Sequence, residues 1–347
     1  MVSESDRRRR RRARARRVTG LLAMVAILAG LLALALAKVN ISELGRALGH
    51  VRVGWIAAGA AFMCGAFLAR AESWFAAIRA AVPDCGIGRA TVTRAMLIGM
   101  AGNTVAPGRL GEAARAWLIA RRTGGVRDGL AKVVGTLVAQ TLLNVTALTL
   151  LAVIAVTGSA LRGAHTEAIV LAAMLPLGIV LVLVLGPPLL GSAQALGPGP
   201  LGRMAGWLHR QLAEIRLGLS IARTPSGVLH TSSFQLGAWA MQLGTCYSVL
   251  LAFGLQHRTG IPAAAAVLLA VNVTAVLPLT PSNVGVFQAA CIAVLAPFKI
   301  GAANALAYGI VLQAIEVASA LALGIPALAH EGLSPAQLRR GASTVRE

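Results

Sequence analysis

Gly102-Asn103-Thr104-Val105-Ala106-Pro107-Gly108-Arg109-Leu110-Gly111-Glu112-Ala113-Ala114-Arg115 lies between apolar segments. It holds a proline, three glycines and three charges, all of which lipid tolerates poorly. Irregular backbone at membrane depth persists only where protein buries it or a water-filled cavity faces it. Asn272-Val273-Thr274-Ala275-Val276-Leu277-Pro278-Leu279-Thr280-Pro281-Ser282-Asn283-Val284-Gly285-Val286-Phe287-Gln288 breaks the same rule. Pro107 and Gly111 are four apart, as are Pro281 and Gly285, so the two breaks read as halves of one site.

The surrounding composition is that of an all-α polytopic membrane protein. Of 347 residues, 57% are hydrophobic and 13% charged, with mean hydropathy +0.75. Soluble domains carry roughly 25% charged residues. The net charge of +20 sits in connecting segments and at the N-terminus, where nine arginines fall between Arg7 and Arg17. Beside a first span, such a run reads as cytoplasmic retention and contact with an anionic lipid surface rather than nucleic-acid binding. The four cysteines form no CxxC pair and the six histidines show no metal-ligand spacing. With three aspartates and no DxD, a metal-dependent glycosyltransferase is disfavoured. No cofactor or metal is expected.

Along the chain, 1–17 is a basic cytoplasmic tail and 18–37 a first span, about 20 apolar residues being enough to cross a bilayer. Ala35-Leu36-Ala37 resembles a signal-peptidase site, but the apolar run exceeds a signal-peptide core, which favours an uncleaved anchor. Val53 to Phe75 reads as the second span, with Arg70 and Glu72 paired near the inner interface. Ala95–Ala106 and Leu110–Ala120 are apolar but too short to cross. Val133–Thr157 crosses, and so does Ala168–Leu185. Within 168–227, Met204, Trp207, Leu208, Ile215 and Leu219 recur near helical spacing, as in a surface amphipathic helix. Val228–Leu255 crosses, Pro262–Leu277 and Val284–Pro297 form a second short pair, and Ala303–Ala329 crosses before a tail at 330–347.

Cytoplasmic loops carry the excess of Lys and Arg. The N-terminus, 70–94, 121–132, the helix near Arg203 and the C-terminal tail are therefore placed inside. Loops near Leu161, His257 and Lys299 fall outside. The pieces around Pro107 must then enter and leave from inside, and those around Pro281 from outside. This predicts about six full spans and two re-entrant helical hairpins. The repeat at 53–157 is matched by an inverted-topology repeat at 228–329. Gly/Pro-interrupted segments in corresponding positions of inverted repeats point to a transport site.

Asn103-x-x-x-Pro107-x-Arg109-x-Gly111-Glu112-x-x-Arg115, with Pro278-x-x-Pro281-x-x-x-Gly285-Val286-Phe287 downstream, resembles the lysylphosphatidylglycerol synthase transmembrane family. The resemblance runs over roughly 20–330 and implies a flippase-like domain of a bacterial cytoplasmic membrane. The second motif departs from the family: its Gly-Gly is Ser282-Asn283 here, and its acidic residue after Val-Phe is Gln288. Fused members carry a soluble aminoacyltransferase-like domain. The chain ends at Glu347 without one, so aminoacyl transfer is not expected and no enzyme activity is assigned.

Half-helices after Pro107 and Pro281 would present unpaired N–H groups to an anion. Arg109 and Arg115 offer the planar fork that binds phosphate, or serve as topology determinants paired with Glu112. Glu112 reads equally as a proton carrier or a first-turn helix carboxylate. Asn103 and Asn272 read as backbone caps before ligand contacts. The shared cavity would be lined by Arg109, Glu112, Asn283 and Gln288, with Pro107, Gly111, Pro281 and Gly285 shaping it, and be reached by Glu316. An intramembrane acid such as Glu316 is a candidate for proton coupling, against a purely structural role. Gln140 and Asn144 stand 33 and 37 residues after Pro107, and Gln313 and Glu316 stand 32 and 35 after Pro281. Interhelical hydrogen bonding alone would explain Gln140 and Asn144. The expected activity is movement of an anionic, phosphate-bearing lipid or lipid-linked precursor between leaflets. A scaffold or accessory role in a cell-envelope pathway is the alternative. Nucleic acid is not an expected partner; an oligomer is compatible with the sequence.

Overall fold

The computed structural model describes residues 41–49, 51–81, 86–105, 110–123, 126–157, 225–275, 283–332 and 337. Among them there are helices and no strands. In chain order they are α1 (Ile41–Gly49), α2 (Val53–Ala81), α3 (Arg89–Val105), α4 (Leu110–Ala120), α5 (Val126–Thr157), α6 (Pro225–Ala252), α7 (Gln256–Thr274), α8 (Val286–Leu295) and α9 (Ala302–His330). A 3-10 turn, Ala296–Phe298, joins α8 to α9.

Three of these helices are long and apolar enough to cross a membrane: α2, the Gly135–Val156 part of α5, and α9. At 1.5 Å per residue, the 29 residues of α2 and of α9 exceed the ~30 Å hydrocarbon thickness. α6 has the length, 28 residues, but Thr231, Gln235, Gln242, Thr245 and Ser248 make it more polar. Those side chains are buried against protein. The expected spans at 18–37 and 168–185 and the helix near Arg203 lie outside the described residues.

α2 and α6 pack along their length, antiparallel. The Arg52 N–H donates to the Ala252 carbonyl at 3.0 Å at one end. The Thr245 hydroxyl donates to the Gly59 carbonyl at 3.1 Å, and the Ser73 hydroxyl to the Thr231 carbonyl at 3.0 Å. Around this pair the other helices recur in matched contacts: α3 on α9 and α7 on α5; α4 on α5 and α8 on α9; α3 on α2 and α7 on α6.

The short helices pair as α3 with α4 and α7 with α8. α3 stops at Val105, ahead of Pro107, whose ring disfavours helix in the residue before it. α4 can lie on α3 because Gly111 has no side chain: a Cβ there would sit 1.8 Å from the Gly99 carbonyl oxygen. Gly324 of α9 likewise abuts the Leu97 carbonyl of α3. α7 is kinked at Gly260, φ +67°, just before Pro262.

Both ends of the α3–α4 pair meet the same end of the bundle. Arg94 of α3 and Arg121 and Arg122 after α4 all converge on Glu331, at the C-terminus of α9. The α7–α8 pair has both its ends at the opposite end of the bundle. It starts where α6 finishes beside Arg52, and passes through the 3-10 turn into the start of α9. There α1 packs Leu44 on Ala303 and Leu306.

Candidate functional site

Midway along the α2–α6 pair, two arginines reach into the bundle. Each helix presents apolar surface to its neighbours, so each guanidinium must find partners among aromatic faces and amides. Arg70 of α2 lies over the Trp239 ring of α6 at 5.3 Å, and its Nη2 donates to the Gln242 side-chain oxygen. Arg115 of α4 lies over the Trp74 ring at 4.8 Å, touches the Met96 sulfur, and donates through Nη1 to Gln140 Oε1 at 3.4 Å. Stacking of this kind is worth ~0.5–2 kcal/mol per pair, more when water is excluded.

The tryptophans are held in turn from α5. Trp74 Nε1–H donates to the Thr136 hydroxyl at 3.0 Å, and Trp239 Nε1–H to Asn144 Oδ1 at 2.9 Å. Gln235 donates to the same Asn144 oxygen at 2.6 Å. Gln140 ties the two arginines together, its Nε2–H donating to the Arg70 carbonyl at 3.4 Å. Among the described residues, neither Arg70 nor Arg115 has a carboxylate within 4.0 Å. The Nε of each is buried with no hydrogen-bond acceptor among the described residues.

The second half has an amide where the first has Arg115. Gln288, in the first turn of α8, accepts from the Gly285 N–H at 2.7 Å and donates to Gln313 Oε1 at 2.6 Å. Arg115 and Gln288 each donate to a glutamine 25 positions further along the chain. Gly285 adopts φ +89° and Asn283 φ +53°, so the chain turns into α8 through the left-handed region. Asn272 spends its amide on its own helix, donating to the Leu268 carbonyl at 2.8 Å. Asn103 packs against Gly111 with its Oδ1 buried and without a donor among the described residues.

Pro107, Arg109 and Pro281 lie outside the described residues, and so does the meeting of the two breaks. One expectation is corrected. Arg70 and Glu72 do not pair; Glu72 takes Arg89 at 3.5 Å and His230 at 3.3 Å. Residues two apart on a helix do not face each other, so Arg70 turns inward while Glu72 turns to the bundle end.

A model of the lysylphosphatidylglycerol synthase transmembrane region matches residues 21–324. The chain belongs to that family. No curated protein gives a significant match. The family's match takes in every residue of the arginine cluster, from Arg70 through Gln313 and Glu316. Arg115, Gln140, Gln288, Gln313 and Glu316 are recognisable from sequence, whereas the inward place of Arg70 and the parts of Trp74, Trp239 and Gln242 emerge only from the packing. The available signal was periodicity: Arg70, Ser73, Trp74 and Ala77 lie on one helical stripe.

Proposed function

We propose that this protein moves an anionic, phosphate-bearing lipid or lipid-linked precursor between membrane leaflets, as a carrier and not an enzyme. It would work as two inverted repeats, 53–157 and 228–329, each with a re-entrant helical hairpin. Its setting would be a bacterial cytoplasmic membrane, with both termini inside.

One observation carries this reading: the two halves pack by the same scheme while their central helices run antiparallel. A two-fold axis in the membrane plane accounts for both facts at once, and many alternating-access transporters are built this way. The pair α3–α4, opening at one end of the bundle, and α7–α8, opening at the other, are then the two hairpins. Further support comes from the charge at the Glu331 end, where Arg79, Arg89, Arg94, Arg121 and Arg122 gather, as expected of a cytoplasmic face. Arg115 and Arg109 would hold the headgroup phosphate, Glu112 and Glu316 would be available for proton coupling, and acyl chains would stay in lipid.

The test is a headgroup-resolved leaflet assay in reconstituted vesicles. Wild type should accelerate movement of an anionic phospholipid over protein-free vesicles. Arg109→Ala and Arg115→Gln should each lower that rate at least tenfold while unfolding temperature stays near wild type. Unchanged rates in both variants would favour a scaffold.

A further inference from the structure

The reciprocal bonds between α2 and α6 locate the axis. Moving 172 positions along the chain takes Ser73 to Thr245 and Gly59 to Thr231. The Ser73–Thr231 bond thereby becomes the Thr245–Gly59 bond. The same step takes Ala66 to Ala238, and these two fall, with Ala69, in one small buried cluster. A residue can touch its own counterpart only where the symmetry axis passes. The pair one turn further on, Arg70 and Gln242, stands in that relation too, being 172 positions apart and hydrogen-bonded. Arg70 is therefore an axial residue, and the axis meets a guanidinium from one half and an amide from the other.

The groups in contact with Arg70 are Trp239 and Gln242 on α6 and Gln140 on α5. Its Nε–H is aimed at none of them. A guanidinium has five donors in a planar fork, and phosphate oxygens match that fork better than any single amide does. A group on the axis is equally related to both hairpins and so to both membrane faces.

We propose that Arg70 binds a phosphate on the internal two-fold axis, the phosphate being that of an anionic lipid headgroup. The lipid as occupant rests on the transport reading; the site itself rests on the geometry.

The experiment follows thermal unfolding of the full chain in detergent. It is titrated with phosphatidylglycerol, with diacylglycerol or with inorganic phosphate. Wild type should be stabilised by phosphatidylglycerol and not by diacylglycerol. Stabilisation by inorganic phosphate as strong as by the lipid would overturn the lipid as occupant. Arg70→Gln should weaken the apparent affinity at least tenfold. The exchange Arg70→Gln with Gln242→Arg returns a guanidinium to the axis from the other helix, and should recover most of that affinity. Arg70→Lys keeps the charge and loses the fork, so it should fold and still bind at least fivefold more weakly. Wild-type affinity in Arg70→Gln and Arg70→Lys, or no recovery in the exchange, would overturn the site. Leaflet movement measured on the same preparations separates the two readings. Arg70-dependent binding without movement leaves the site standing and defeats the transport proposal. Movement without Arg70-dependent binding does the reverse.

Discussion

The two halves share one packing scheme and fill it with different chemistry. In the first, Arg70 and Arg115 stand at the centre, each stacked on a tryptophan. In the second, Gln242 stands 172 positions after Arg70, and Gln288 bonds Gln313 as Arg115 bonds Gln140. The backbone scheme is set by small residues and helix breaks, which are common to both halves. The charges are not needed for that scheme, since amides serve the second half. A buried guanidinium costs desolvation that an amide does not, so its retention in one half alone calls for something beyond packing.

Gly111 and Gly285 occupy the same motif position and are needed for different reasons, which gives the largest expected effects. A Cβ at Gly111 would fall 1.8 Å from the Gly99 oxygen and 2.7 Å from the Asn103 nitrogen, both backbone atoms. Gly111→Ala should therefore force α4 off α3 and cost about 3 kcal/mol or more. Gly285→Ala meets a conformational strain at φ +89° and should cost about 1–2 kcal/mol. Equilibrium unfolding in mixed micelles measures both. Equal losses would mean the two glycines do the same job, contrary to their geometry.

Gln288 sharpens the comparison at the next level. Its amide gives one hydrogen bond and receives another, from Gly285 and to Gln313. An ionised carboxylate accepts only. Gln288→Glu should thus lose the bond to Gln313 and destabilise the protein by roughly 1–3 kcal/mol. Gln288→Met, which has a similar shape and no strong polar group, should cost less if Gln313 is replaced by Leu at the same time. A Glu variant as stable as wild type would show that position 288 does not use its donor.

Much of the architecture was legible. α4 begins and ends at the residues expected from the apolar run after the first break, and α9 departs from expectation by one residue at each end. The proline and glycine before Leu110 and the charges after Ala120 and Ala329 mark those boundaries, and they act locally. The expected connector over 79–94 is instead partly helix, because α2 continues to Ala81 and α3 already starts at Arg89. Charged residues do not end these helices, and Arg70 lies inside the bundle and not at its interface end. What holds it inside, Trp239 and Gln242, is supplied by a helix far along the chain, and no local pattern reveals it. Gln288 was legible as a departure from its family and not as a bonded amide, because Gln313 lies on another helix.

The two ends of the bundle differ as the two halves do, and the smallest expected effect lies there. Glu331 binds Arg94 at 2.8 Å, Arg122 at 2.6 Å and Arg121 at 3.7 Å, tying α3, the exit of α4 and α9 at one end. At the other end the 172-position step takes Arg121 and Arg122 to Ala293 and Val294, and Arg94 to Ala266. These residues have no charge to offer. Partial burial pushes the Glu331 carboxyl up, but the hydrogen bonds and charges of Arg94 and Arg122 outweigh it and hold the group below its ordinary value. A carboxyl depressed in the folded state adds stability above its unfolded value and loses it as pH falls through the folded one. The α3–α4 pair should therefore loosen on acidification below about pH 4.5, the ordinary value of the group. The arginines are partly exposed, at 24–34% of their side-chain surface, so solvent screens the contacts and the whole effect should be about 1 kcal/mol or less. Glu331→Gln should reproduce it at neutral pH. Hydrogen exchange resolved by segment is the measurement. Faster exchange should appear over 89–123 and not over 256–300. Equal acceleration in both pairs would mean that Glu331 supports the bundle as a whole and does not fasten the α3–α4 pair to the last helix.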